Sequence, residues 1–417
     1  MNTRLLSARA CPAVATAVLW FMVPCAGFAD GDAPRFTTFG AIGVSTISGW
    51  NGKTGSAADA TIGGALYLEM NDRFSTDQAE LFLHHKISEP FQEPSQGYAP
   101  PPQQVPLPQV SLYEAYVRLL PASWVSLSIG RHRFNWGNGL ILSPSDSFQP
   151  SAFQGATGEM PTTLQDSAAQ TGFTGLGAQF FPSPDLTASV GVSVDDALSA
   201  GTLAPQRVRT GGIVSFVLGA FDCFLSGVYE PRKTLRPGAG ASVEILGVIL
   251  RGETALELTN GYDYPSESGG LVSFSRGVGA PPRAGVSAGI EKVFTSGDDT
   301  LSISGEYLYL GWGYSRDQER LVLASLPSSA FAVPQPMGQH YANLLVSFGR
   351  TDAWDLENLL MVDVTGPGIM GSHTVTFLGF QGVSLTAGLT WLAGGGDTEF
   401  GSSENKVFGT LQAQVDF

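Results

Sequence analysis

The sequence predicts an all-β protein: a transmembrane, antiparallel, up-and-down β-barrel of about 18 strands, with 16 as the alternative count. Three observations predict it. Apolar and polar residues alternate with a period of two in segment after segment of the chain. The connections between those segments alternate between short and long. Beyond the first 30 residues no apolar run approaches the ~18 residues of a spanning helix. Composition agrees, with 52 glycines, 10 % aromatic residues and only 14 % charged residues.

The chain opens MNTRLLSARACPAVATAVLWFMVPCAGFAD. Arg4 and Arg9 form a basic start, and Ala13 to Val23 form an apolar core of about eleven residues, too short to span. Gly27 and Ala29 supply small residues at the −3 and −1 positions of a cleavage site. Residues 1–29 are therefore expected to be a signal peptide, and 30–417 one barrel domain. Met22, Val23 and Pro24 make a poor lipobox before Cys25. Removing the leader takes the net charge from −15 to about −17, which argues against nucleic acid as a partner. Cys11 and Cys25 leave with it, so Cys223 remains alone and no internal disulfide is expected. A barrel needs none, because its ladder closes on itself.

Strands are expected near 36–47, 61–71, 77–88, 110–120, 124–133, 170–181, 185–194, 207–217, 220–230, 239–246, 248–259, 283–294, 299–312, 339–349, 353–365, 371–379, 382–393 and 405–417. The even-numbered connections are short, such as PAS, PSP and SGD. The odd ones hold the long Pro-, Gly- and Ser-rich segments 89–109, 134–169, 195–206, 260–282, 313–338 and 394–404. A miscounted strand would have scrambled this rhythm. The segment 92–109, QEPSQGYAPPPQQVPLPQ, favours extended, polyproline-like backbone and suits a surface loop.

Parity divides each strand into two faces. In LYEAYVRLL, Tyr113, Ala115, Val117 and Leu119 fall outside, and Glu114 and Arg118 inside. In ILRGETALEL, Leu250, Leu256 and Leu258 fall outside, and Arg251, Glu253 and Glu257 inside. Glu306 falls inside between Tyr307 and Ile303 on the outer face. Glu69, Glu80, Glu244, Glu291, Glu357, Asp363 and Asp416 join the inner set, with Lys86 among the few basic residues there. Cys223 shares the outer face with Phe221 and Leu225. A charge on the lipid face costs ~2–4 kcal/mol near the midplane. A dozen misplaced acids would exceed the ~5–15 kcal/mol net stability of a typical fold. The acids must face water, so the interior is expected to be polar and its acidic bias to favour cations.

The segment SIGRHRFNWGNGLILSPSDSFQPSAFQGATGEMPTTLQDSAAQ runs from the fifth strand into the sixth. Its place and length resemble the loop that folds inward and narrows the pore in many trimeric porins. The string Gly130 to Gly137, GRHRFNWG, is similar to a strand-end pattern of several substrate-channel barrels. The resemblance implies a constriction in which Arg131 and Arg133 face Asp146, Glu159 and Asp166. Parity alone puts Arg131 and Arg133 on the outer side, and a bulge at Gly130 would turn them inward. Without it they lie at headgroup level, as surface charges that meet lipopolysaccharide phosphate or water.

The terminal segment VFGTLQAQVDF alternates apolar Val407, Leu411, Ala413, Val415 and Phe417 with polar Thr410, Gln412, Gln414 and Asp416. A last strand with an aromatic terminus resembles the assembly signal of Gram-negative outer-membrane β-barrels of the porin-like channel type. That resemblance implies export through the periplasm, recognition of Phe417 by the barrel assembly machinery, contact with outer-membrane lipid and lipopolysaccharide, and passive diffusion of small solutes. It also implies a homotrimer, although monomeric and dimeric barrels share the strand pattern. Two alternatives stand beside the diffusion channel: a substrate-specific or export channel for hydrophobic or polymeric compounds, suggested by Tyr67, Phe82 and Phe408 on the inner set, and a structural or adhesive barrel acting through its loops.

Enzyme chemistry is not expected. His84, His85, His132, His340 and His373 sit in no catalytic string, and Ser143, Ser145 and Ser147 are a turn composition rather than a nucleophile elbow. Sequential His84 and His85 point to opposite faces and cannot share a metal. No Walker loop, zinc spacing or dinucleotide fingerprint occurs, so neither cofactor nor metal is expected.

Overall fold

The computed structural model describes residues 35–50, 61–92, 109–132, 139, 143–145, 173–194, 208–231, 234–258, 263–268, 271–276, 281–325, 338–350, 353–380, 382–402 and 406–416. The leader, Phe417, Arg133, Asp146, Glu159 and Asp166 lie outside the described residues.

The strands are β1 (Arg35–Trp50), β2 (Thr61–Ser75), β3 (Ala79–Gln92), β4 (Gln109–Ala122), β5 (Val125–His132), β6 (Phe173–Ser183), β7 (Leu186–Ser193), β8 (Arg209–Leu218), β9 (Phe221–Glu230) and β10 (Thr234–Ile245). They continue with β11 (Val248–Glu257), β12 (Asp263–Ser268), β13 (Leu271–Arg276), β14 (Arg283–Ser296), β15 (Asp299–Leu310), β16 (His340–Arg350), β17 (Trp354–Asp363), β18 (Gly368–Phe380), β19 (Val383–Gly394) and β20 (Val407–Asp416). Among the described residues two helices, α1 (Arg316–Ser325) and α2 (Glu399–Ser402), lie in the connections after β15 and β19.

Eighteen strands form one sheet, and the pairs β12 and β13 form a separate hairpin. Each barrel strand pairs antiparallel with its chain neighbour, and β1 closes the cylinder on β20 from Ala41↔Asp416 to Trp50↔Val407. Closure leaves no barrel strand at the rim of an open sheet, as a sheet in hydrocarbon requires. Every expected barrel strand is present, and the count is 18 rather than 16.

The two faces differ as the alternation dictates. Val44 opposite Leu66, and Val214 opposite Leu225, are exposed on the outside. Leu411 is 63 % exposed although it lies mid-strand. A belt of large exposed apolar side chains is costly in water and stable against hydrocarbon. The inner set stays in phase around the cylinder. Lys86 pairs with Glu69, which pairs with Ala41, which pairs with Asp416 across the closure. On the other side Arg251 pairs with Gly289, Gly289 with Glu306, and Glu306 with Asn343.

The two-residue reversal from β10 to β11 runs through Leu246 at φ 53° and Gly247 at φ 71°. Two positive φ values in a two-residue loop match the twist of a hairpin, and glycine meets that need without a Cβ penalty.

Three departures from the sequence expectations have local causes. The pairing of β3 with β4 shifts between His84↔Glu114 and His85↔Leu112, so Tyr113 is an extra residue. That bulge brings Tyr113 from the expected outer face onto His84, with ring centroids 4.8 Å apart. The segment 260–282 contains the β12–β13 hairpin, whose signal was the Gly269–Gly270 pair between two short runs. The segment 313–338 begins with α1. Ser315 opens it, and the Ser315 N–H donates to Gln318 Oε1 at 3.0 Å, one half of a capping box legible as S-x-x-Q.

Candidate functional site: the charged inner wall

Adjacent strands place inner residues opposite one another, so register decides which charges meet. Glu80 on β3 contacts Arg73 of β2 (2.7 Å) and Arg118 of β4 (3.2 Å). Glu69 lies 2.7 Å from His84 Nε2. Lys86 Nζ stands 4.4 Å from the ring centre of Tyr67, a cation–π contact. Tyr67 donates to Gln414 Oε1 at 2.9 Å and lies over Gly43, where a Cβ would meet its hydroxyl at 2.4 Å. The first strands are thereby tied to the last across the closure.

The opposite wall is denser. Arg251 is ion-paired to Glu291, and Arg209 lies 3.3 Å from Glu230. Arg236 donates to Glu257 Oε2 from Nε at 2.8 Å, and its Nη2 is 2.7 Å from the same oxygen. Arg236 also stacks 4.3 Å from the centre of the Trp312 ring. Glu306 accepts from Asn343 at 3.4 Å. Arg283 donates to Gly311 O at 3.2 Å and stacks 4.2 Å from the Tyr264 ring centre.

What covers this sector comes from far along the chain. Trp312 packs over Gly285 of β14, where a Cβ would meet its ring at 2.3 Å and Pro144 at 3.0 Å. Ser145 donates to Glu253 Oε2 at 3.2 Å, and a Cβ on Gly238 would meet its Cβ at 2.8 Å. Pro144 and Ser145 follow β5 in the chain, yet they lie against β10, β11 and β14. The covered carboxylates Glu253 and Glu257 are buried.

Glu69, Glu80, Lys86, Glu114, Arg118, Arg251, Glu253, Glu257 and Glu306 all fall on the inner set. Arg131 does not. It is the penultimate residue of β5 rather than a loop residue, and it pairs with Ala115 on the outer set. The ladder runs through Gly130↔Tyr116 without a shift, so no bulge turns Arg131 inward. Gly130 instead has φ +126°, and a Cβ there would meet Ala115 O at 2.2 Å. His132 takes the inner position, its ring centroid 4.5 Å from Phe173 and 6.2 Å from Tyr116.

Parity counted too few inner basic residues. Arg73, Arg209, Arg236 and Arg283 also belong to the inner set, and three of them meet acids directly. They lie at strand ends, where a short alternating window loses its phase. The inner wall is also not uniformly polar. Leu308, Tyr341, Leu359, Met361, Met370, Leu392 and Phe408 form one buried inner cluster beneath Phe400 of α2. The inward parity of Phe408 was legible, but the clustering depended on α2 closing over it.

No protein-family model matches the chain, and no curated protein matches it. Solved structures match over most of its length. Pseudomonas aeruginosa OccK8 (OprE) is 9 % identical with a TM-score of 0.54, over 92 % of this chain and 98 % of that one. Acinetobacter baumannii OccAB1 is 10 % identical with a TM-score of 0.54, over 92 % and 96 %. A triple mutant of the Rhodopseudomonas blastica porin is 12 % identical with a TM-score of 0.43, over 92 % and 100 %. At such identities the likeness to the two Occ structures is one of fold: the closed antiparallel barrel.

Proposed function

We propose that the barrel is an outer-membrane channel for passive diffusion of small hydrophilic solutes, with a preference for cations. The observation that carries this is a charged inner face that closes in phase around 18 strands whose outer face exposes large apolar side chains. Such a cylinder shields solutes from hydrocarbon and selects among them by size and charge, without chemistry on the solute. Acids outnumber bases in the chain, 37 to 22, which supports the cation preference. The contacts of Pro144 and Ser145 with the far wall support a segment after β5 that folds into the bore and narrows it.

Purified protein in a planar bilayer should give stepwise conductance, and a KCl gradient should give a reversal potential of cationic sign. Neutralising Glu69 and Glu114 together (Glu69→Gln, Glu114→Gln) should move that potential toward zero. A bilayer silent at every voltage, or an anionic reversal potential, would sink the proposal. Delivery to the outer membrane rests on residues 1–29 acting as a cleaved leader. Amino-terminal sequencing of exported protein should begin at Asp30, and retention of Met1 would refute the leader.

The apolar inner cluster favours a second reading, a channel specific for hydrophobic or polymeric compounds. Swelling of loaded liposomes separates the two. Sugars and amino acids should swell them if diffusion is general, and fatty substrates alone if it is not.

A further inference from the structure

Three carboxylates from segments remote in sequence meet at the end of the barrel that carries the long connections. Glu319 is on α1, Asp363 closes β17 and Glu399 opens α2. One oxygen from each lies within 4.8 Å of the others, and the residues are 0 %, 0 % and 2 % exposed. Like charges at such range, each stripped of hydration, oppose ionisation and need compensation.

Hydrogen bonds supply only part of it. The Asp363 oxygens accept the N–H groups of Thr365 (2.8 Å) and Gly366 (3.1 Å). Tyr341 Oη donates to Glu399 Oε2 at 2.6 Å, and the Glu399 N–H donates to Glu319 Oε1 at 2.7 Å. Glu319 Oε2 is buried against Gly366, and no hydrogen-bond donor among the described residues reaches it. Burial first, and then the charge of Asp363, push the Glu319 carboxyl up to about 7, against the Glu399 N–H and then Arg316, which lower it.

We propose that Glu319, Asp363 and Glu399 bind a hard divalent cation of the calcium type, which ties three connections of the barrel mouth together. The donor set is all oxygen, with no His or Cys in it, which suits calcium over zinc. Oxygens ~2.4 Å from a shared Ca²⁺ can stand at most about 4.8 Å apart, and no pair among these three stands farther. A double positive charge offsets the mutual repulsion and gives Glu319 Oε2 a partner. The ion would lock α2, and with it Phe400, over the apolar inner cluster. The sequence offered no ligand spacing because the three acids are 44 and 36 residues apart and converge only in the closed barrel.

The test uses the full barrel refolded in detergent without lipopolysaccharide, which itself binds calcium, and stripped with EDTA. Titration with CaCl₂ at pH 8 in a calorimeter should show one saturable site with a dissociation constant of roughly 10⁻³ M or tighter. Calcium should raise the thermal midpoint, and Glu319→Gln should weaken binding at least about 10-fold, in line with the loss of one charged ligand. Glutamine keeps an acceptor for the Glu399 N–H, so the variant is expected to fold. Should it not, Asp363→Asn replaces it. The idea is overturned by a wild-type protein without saturable binding up to about 10 mM calcium, as expected if the carboxyls merely share a proton. Equal binding by wild type and variant, the mark of scattered surface acids, overturns it as well.

Discussion

Replacing Glu257 by alanine is expected to remove about 3–5 kcal/mol of stability. The Arg236 and Glu257 side chains are 8 % and 1 % exposed. The guanidinium is held between that carboxylate and the face of Trp312. Deleting the carboxylate leaves a cation in a dry place, and that residue of charge, rather than the lost contact, dominates the cost. Urea unfolding in lipid vesicles, followed by the heat-shift of the folded barrel on a gel, measures it. Combining Glu257→Ala with Arg236→Leu should cost less than Glu257→Ala alone, because the buried cation is removed together with its carboxylate. The size of the effect also reports on the lumen. A loss below about 1 kcal/mol would mean that water reaches Arg236 as it does an exposed pair, and that Trp312, Pro144 and Ser145 do not seal the sector.

Leu411→Arg is expected to cost about 2–4 kcal/mol, because it places a charge in the hydrocarbon belt. Leu411 is 63 % exposed and faces outward between Thr46 of β1 and Ala387 of β19. Its neighbour Gln412 faces inward and donates to Tyr67 Oη at 2.6 Å. Gln412→Arg should therefore cost only about 1 kcal/mol, the worth of a lost hydrogen bond. One position along the strand separates the two outcomes. Equal costs would contradict the assignment of faces, and folding of both variants in vesicles decides the matter.

Most of the barrel was legible in the sequence because its determinants are local. A strand between lipid and a polar interior must alternate with a period of two, and turn residues must interrupt it. Leu250 beside Arg251, and Tyr307 beside Glu306, carry that code without help from other strands. The side of each acid followed from the same code, since a misplaced charge is costly. Strand ends were harder. Arg209 and Arg236 lie where the alternation starts, and too few neighbours set the phase there.

Arg131 and Tyr113 mark the limit from opposite directions. A bulge was the open question at Gly130, and the ladder there is regular. The bulge lies instead at Tyr113, in a run whose alternation gave no warning. A bulge is settled by how two strands fit each other, and neither strand's own pattern contains that fit.

By itself, then, the amino-acid order determined the run of barrel strands to within two, the greasy and the wetted side of most of their positions, and the alternation of short and long connections. These depend on neighbours one or two positions away. Only the closed cylinder decided which charges pair, what lies over Glu257, and that Glu319, Asp363 and Glu399 share one place. Those facts depend on register and closure, through which residues tens to hundreds of positions apart become neighbours, and pattern along a chain carries no record of them.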